Sequence, residues 1–142
     1  MDLGLKGKTA LVMGGSQGLG LAIAERLAAE GADLVISSRR LEALEEVAAK
    51  LSAEHGVTVR CDAVDLTDPA EVPAFCDRIR QDYKPDILLN NAGGPPPSPA
   101  IGVAQDVWKN STQGLLFSLI AVTEAAVEGM RERKWGRVLT IG

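Results

Sequence analysis

Four short stretches hold residues whose types and spacing could do chemistry. The first is MGGSQGLG, Met13–Gly20, with Gly14, Gly18 and Gly20 spaced G-x-x-x-G-x-G and Gly15 as an extra. Glycine lets a backbone turn tightly and approach a phosphate with no Cβ in the way. A helix starting at such a turn offers free N–H groups and its positive dipole end to a pyrophosphate. No Lys-Ser/Thr pair follows Gly20, which excludes a P-loop. The spacing also differs from the general G-x-G-x-x-G dinucleotide fingerprint. The second stretch is Ser37, Ser38, Arg39 and Arg40, with no acid among them. An acidic residue there would bind a ribose 2′-hydroxyl and repel a 2′-phosphate. Two guanidinium groups instead donate forked, charge-assisted hydrogen bonds to phosphate. The bland alternative, a solvated helix start, puts two cations at the wrong end of a helix dipole. The third is Asp65-Leu66. The fourth is Asn90-Asn91-Ala92-Gly93, continued by Gly94. An Asn-Gly-type turn needs no ligand to explain it.

The elements that must position these stretches alternate regularly. Thr9–Met13, Asp33–Ser37, Val57–Cys61, Ile87–Leu89 and Arg137–Ile141 read as five strands, the first being a short apolar run buried on both faces. Leu19, Ile23, Leu27 and Ala28 mark a first helix stopped by Gly31. Leu41, Leu44, Val47, Ala48 and Leu51 mark a second, ending at His55-Gly56. The third is expected to start with Asp68 as N-cap and Pro69 in its first turn, and to bury Val72, Phe75, Cys76 and Ile79. A long fourth helix is expected over 111–132, burying Leu115, Leu119, Val122, Ala126 and Met130. Strands alternating with helices imply an α/β fold, a doubly wound parallel sheet with helices on both faces. GGPPPSP at 93–99 reads as a rigid exposed loop, and Pro95–Pro97, lacking N–H groups, offer only carbonyls.

The G-x-x-x-G-x-G spacing and the N-N-A-G element, in this order and at the ends of strands one and four, resemble the short-chain dehydrogenase/reductase family, its 3-oxoacyl-carrier-protein reductase-like members included. Met13 stands where the family pattern has threonine. The resemblance runs over the whole chain and implies a Rossmann fold. It implies a cofactor cleft made of Gly14, Ser16, Gln17, Gly18, Leu19 and Gly20, with Asp65 and Leu66 beside the adenine. Asn90, Asn91, Ala92, Gly93 and Gly94 would border the nicotinamide ribose, and the proline segment would wall the substrate side. A Ser-Arg pair at Ser38-Arg39, with Arg40 next, goes with NADP in that family. The implied activity is hydride transfer between NADP and a small-molecule carbonyl or alcohol, in a homo-oligomer built partly on the long helix.

The proton-transfer groups such a reaction needs are expected outside this chain. The family takes them from a serine after strand five and a Tyr-x-x-x-Lys motif further on. Tyr83, the single tyrosine, has Lys84 adjacent rather than four residues away and reads as a surface turn. The family's helix asparagine aligns with Leu115, whereas Asn110 reads as a surface residue and Trp108 as packing. Residues 1–142 are therefore expected to be the NADP-binding Rossmann portion of one reductase domain. The remainder would belong to the same polypeptide, as a separate bound chain if the backbone is cut after Gly142; a truncation or a split gene would be the alternatives. The rival is an inactive NADP-binding sensor or assembly subunit; a Rossmann-like methyltransferase gives N-N-A-G no role.

Composition bounds the rest. Apolar residues make up 46% and charged residues 24%, enough for an ordinary core in a chain of about one domain. A net charge of −4 with both signs dispersed gives no basic patch for nucleic acid and no basic amphipathic helix for a membrane surface. The purely apolar runs are only a few residues long, so the expected location is the cytoplasm. Cys61 and Cys76 read as reduced, buried small apolar residues, and lone His55 gives no metal site.

Overall fold

The computed structural model describes residues 1–142. Its elements are β1 (Thr9–Met13), α1 (Gly18–Ala29), β2 (Asp33–Ser38), α2 (Leu41–His55), β3 (Val59–Ala63), α3 (Val72–Arg78), β4 (Ile87–Asn90), α4 (Gln105–Thr112), α5 (Ser118–Glu132) and β5 (Arg137–Thr140). All strand pairs are parallel, in the order β3-β2-β1-β4-β5. Successive strand side chains point to opposite faces, so a sheet covered on both must be apolar throughout its central strands. Leu11, Met13, Val35 and Leu88 pack under Phe75, Ile79, Val122 and Ala126 of one helical layer. Ala10, Val12, Leu34, Ile36, Ile87 and Leu89 pack under Ala24, Ala28, Leu44 and Leu51 of the other. Cys76 belongs to the first layer and Cys61 packs against the second, so the sheet lies between these two free thiols.

Several boundaries differ from the sequence reading, each for a local reason. Strand β3 begins two residues late, because the Thr58 amide is given to the Asp33 carboxylate, and it runs on through Asp62 and Ala63, which pair with Ser37 and Ser38. Aspartate is disfavoured in strands, yet Asp62 is buried here. It accepts Nε and Nη2 of Arg78 at 2.7 and 2.9 Å and the hydroxyl of Tyr83 at 2.5 Å. Tyr83 is thus half-buried and committed to Asp62, not a free surface turn. Asp68 does not cap α3. It closes a turn on the Ala70 and Glu71 amides, and the helix begins at Val72 with Pro73, not Pro69, in its first turn. On α1 the buried line is Gly20, Ala24 and Ala28; Leu19 is 63% exposed, because α1 rests on its small residues. Leu41 and Leu115 are likewise exposed.

The long helix is two helices joined by a π turn, Gln113–Phe117. Taken together, Gln105–Glu132 is long and apolar enough by composition to cross a membrane. Its Val122, Ala125, Ala126 and Met130 are instead seated in the core on β4 and α3. Strand β5 pairs with β4, and its Val138 and Leu139 are 42% and 51% exposed.

The Asp62–Tyr83 contact gives the fold an alkaline limit. Burial, reinforced by the hydrogen bond to Asp62, raises the Tyr83 hydroxyl from 10.0 to about 12. The folded state therefore holds a proton that the unfolded chain releases first. This contribution is complete below pH 10 and lost as pH rises toward about 12. In urea melts across that window, Tyr83→Phe is expected to remove part of the loss of stability; an identical pH profile in the variant would show that the contact contributes none of it.

Candidate functional site

The strand order reverses between β1 and β4: the chain leaves β1 toward β2 and β3, then returns to place β4 and β5 on the other side. Crevices at the carboxyl ends of strands at such a switch point are where open α/β sheets bind ligands. A cleft of about 340 Å³ lies there. Its walls are the glycine turn, the end of β2, the segment after β3 and the segment after β4.

The glycine turn is held by close packing. Gly14 and Gly18 have φ of +64° and +58°, in the left-handed region where glycine carries no penalty. A Cβ on Gly14 would lie 2.7 Å from the Asn91 carbonyl oxygen, and one on Gly20 would lie 2.0 Å from the Gly14 carbonyl oxygen. The Gly15 amide donates to the Ser37 carbonyl, fastening the turn to β2, so the extra glycine has a structural use. Helix α1 starts with no side-chain cap from Gln17, and Ser16, Gln17 and Gly18 line the cleft at that end.

At the end of β2, Ser37, Ser38 and Arg39 line the cleft. The Ser38 hydroxyl oxygen is buried with no hydrogen-bond partner in the protein, an arrangement that costs free energy unless something else bonds it. Across from it, Thr67 donates its hydroxyl at 2.7 Å and its amide at 2.9 Å to Asp65. The Thr67 hydroxyl bond is the main reason the Asp65 carboxyl sits below the usual range, and the charge of Arg39 adds to it. Asp65 is thus an oriented carboxylate with acceptor capacity left. Its own amide is taken by Glu71. The neighbouring Leu66 carbonyl accepts the hydroxyl of buried Ser118, which ties this wall to α5.

Asn91, Ala92, Gly93 and Gly94 complete the cleft beyond β4. Four predicted site residues do not line it. Asn90 is buried beneath, its amide nitrogen donating to Thr123 at 2.9 Å and, at 3.5 Å, to Thr140, so it fastens β4 to α5 and β5. Gly20 faces the Gly14 carbonyl. Leu19 lies on the exposed side of α1. Arg40 is exposed and serves through its backbone, its carbonyl accepting the Leu44 amide at the start of α2. Ser37 lines the cleft with its neighbours, and the sequence reading missed Met13, Val64, Thr67 and Gly114 as lining residues. Asp-x-Thr as a local side-chain turn and a lone glycine in a helical run as a close approach were the available signals for Thr67 and Gly114. A Cβ on Gly114 would meet Thr67 Cγ2 at 3.0 Å.

A narrow backbone turn free of side chains, an uncapped helix start, a buried hydroxyl without a partner beside an arginine, and an oriented carboxylate fit a phosphorylated adenine dinucleotide. The short chain dehydrogenase family model matches residues 8–142. The chain belongs to the short-chain dehydrogenase family. It is 32% identical over 141 residues to the 3-oxoacyl-[acyl-carrier-protein] reductase FabG of Escherichia coli, an alignment covering 99% of this chain and 56% of the relative. L-sorbose reductase from Gluconobacter frateurii, solved with NADPH and L-sorbose, superposes with a TM-score of 0.90 at 36% identity, over 99% of this chain and 54% of that one. A short-chain dehydrogenase from Sphingobium yanoikuyae in complex with NADPH gives 0.89 at 32% identity, over 95% and 53%. The chain thus spans about half the length of the relatives it matches.

Proposed function

We propose that residues 1–142 are the NADP-binding portion of a reductase domain, and that the whole protein moves a hydride between NADP and a carbonyl or alcohol substrate of the 3-oxoacyl reductase kind. Ser16, Gln17 and Gly18, with the start of α1, would hold the pyrophosphate; Ser38 and Arg39 the 2′-phosphate; Asp65 and Leu66 the adenine; Asn91–Gly94 the nicotinamide ribose. When bound, NADPH supplies a hydride. The side chains of this chain bind and orient, and the narrow glycine turn keeps bulk away from the phosphates. Exposed Phe117, at the end of the π turn, and Ile120, in the first turn of α5, support a subunit contact there.

The observation that carries the NADP reading is the buried, partnerless Ser38 hydroxyl beside Arg39, at a strand end with no acid. Arg39→Asp replaces a charge-assisted donor by a like charge and is expected to weaken NADPH binding about 100-fold while changing NADH binding less than threefold. Fluorescence titration of the two cofactors measures this directly. Unchanged NADPH affinity would remove the 2′-phosphate assignment.

One observation favours the second reading, a non-catalytic NADP-binding sensor or assembly subunit. Leu115, at the family's asparagine position, lines an apolar groove in place of an amide. NADPH oxidation with a panel of ketones separates the two: turnover supports the reductase, and binding without turnover supports the sensor.

A further inference from the structure

Strand β3 ends at Ala63, and Asp65, Leu66 and Thr67 line the cleft beyond it, where the sheet no longer holds them. Two braces replace the sheet. The first is local: the Thr67 amide and hydroxyl both donate to Asp65 Oδ1, at 2.9 and 2.7 Å. That leaves Oδ2 to accept from a ligand. The Thr67 hydroxyl also does most to hold the Asp65 carboxyl below its usual range, so the group is ionised at neutral pH and only accepts. The second brace comes from the π turn Gln113–Phe117 and the residue after it. Buried Ser118 donates its hydroxyl to the Leu66 carbonyl, 52 residues away. The Gln113 side-chain amide donates to the same Ser118 oxygen at 3.2 Å, which commits the hydroxyl proton to Leu66. These two residues are five apart, the spacing of a π turn. Buried Gly114 lies against Thr67: a Cβ there would stand 3.0 Å from Thr67 Cγ2.

We infer that Thr67 and Ser118 are positioning residues for base recognition: they hold the remaining oxygen of Asp65 where the 6-amino group of adenine can donate to it, and so set the preference for adenine over a purine with an oxygen at that position. This rests on the cofactor reading, which puts the adenine beside Asp65 and Leu66. Hypoxanthine presents a carbonyl oxygen in place of the amino group, and two acceptors repel. A carboxylate free to turn could accept the N1–H of hypoxanthine instead, and the preference would fade. Thr67 stops that turn by occupying Oδ1. Ser118 fixes the backbone that carries the carboxylate, through Leu66.

Calorimetric titration of the full-length protein with NADP⁺ and with nicotinamide hypoxanthine dinucleotide phosphate gives the ratio of the two affinities. Both are measured on the same folded protein, so a loss of stability in a variant cancels from the ratio. The parent is expected to prefer NADP⁺ at least about tenfold, the worth of one charge-assisted bond. Thr67→Val keeps the methyl group against Gly114 and deletes only the hydroxyl. Its preference is expected to fall to about threefold or less. Thr67→Ser keeps the hydroxyl and should keep the parent's preference. Ser118→Ala is expected to lower the preference as Thr67→Val does. A preference that survives both Thr67→Val and Ser118→Ala would overturn the positioning roles and leave the cofactor reading standing. So would a loss of affinity by the same factor for both dinucleotides, which would make the two residues merely structural. Equal affinities in the parent would place the adenine away from Asp65, and failure of NADP⁺ to bind would sink the cofactor reading; either result takes the positioning roles with it.

Discussion

Gly20→Ala is expected to abolish measurable NADPH binding and to destabilise the protein by at least about 3 kcal/mol, the upper part of the overpacking range. The added Cβ would lie 2.0 Å from the Gly14 carbonyl oxygen, 2.7 Å from its carbonyl carbon and 2.9 Å from Asn91 Nδ2. A flexible side chain could yield at such distances, but the closest atoms here are backbone. The Gly14 residue has nowhere to retreat, since its own Cα faces the Asn91 carbonyl, 2.7 Å from where a Cβ would stand. Alanine is ordinarily better than glycine in a helix by about 1 kcal/mol, so without the clash this substitution in α1 would stabilise. The sign of the change therefore reports the packing. Thermal unfolding should show a drop on the order of 10 °C. Gly93→Ala is the control: nothing lies within 4 Å of its Cβ position and its φ is not positive, so its melting temperature should match the parent's. Equal stability of Gly20→Ala and the parent would mean that the glycine turn is looser than described.

The second large effect lies away from the cleft. Arg78→Ala leaves Asp62 buried with only the Tyr83 hydroxyl, and removing one partner of a buried ion pair costs about 3–5 kcal/mol. The Arg78 side chain is 38% exposed against 7% for Asp62. Water reaches the pair from the arginine side, which places the expected loss near the lower figure. Asp62 is paired with Ser37 at the end of β3, and the chain runs from there through Val64 to Asp65. Loosening this strand end should also weaken cofactor binding, severalfold rather than completely. Adding Asp62→Asn to Arg78→Ala should recover part of the lost stability, because an amide needs no cation beside it. Urea unfolding of the single and double variants measures both, and an Arg78→Ala chain as stable as the parent would show that the pair contributes nothing.

The central strands were legible because each is apolar on both faces, a pattern few other elements share. Strand β3 was placed two residues early because Val57 and Thr58 continue its alternation, while the Thr58 amide is held by the Asp33 carboxylate. Its burial rests on Asp62, whose partners are 16 and 21 residues away. In the cleft, residue type pointed to the glycine turn, Ser38 and Arg39, and the family resemblance added Asp65. Leu19 and Arg40 were carried along by their neighbours, and the exposed side of α1 and the start of α2 take them out of the cleft. Ser118 and Gly114 were missed because they act across the fold, whereas Thr67 acts on Asp65, two residues away, through a local turn that went unread. The Ser118–Leu66 bond spans 52 residues, and no local spacing announces it. Cofactor binding is the part of the function written into short segments.

The most direct measurement compares adenosine 2′,5′-bisphosphate with AMP by calorimetry on the unmodified protein, since the two ligands differ only in the 2′-phosphate. Charge-assisted bonds from Ser38 and Arg39 predict that the bisphosphate binds at least about tenfold more tightly. Equal affinities, or no binding of either, would contradict an NADP site at the end of β2.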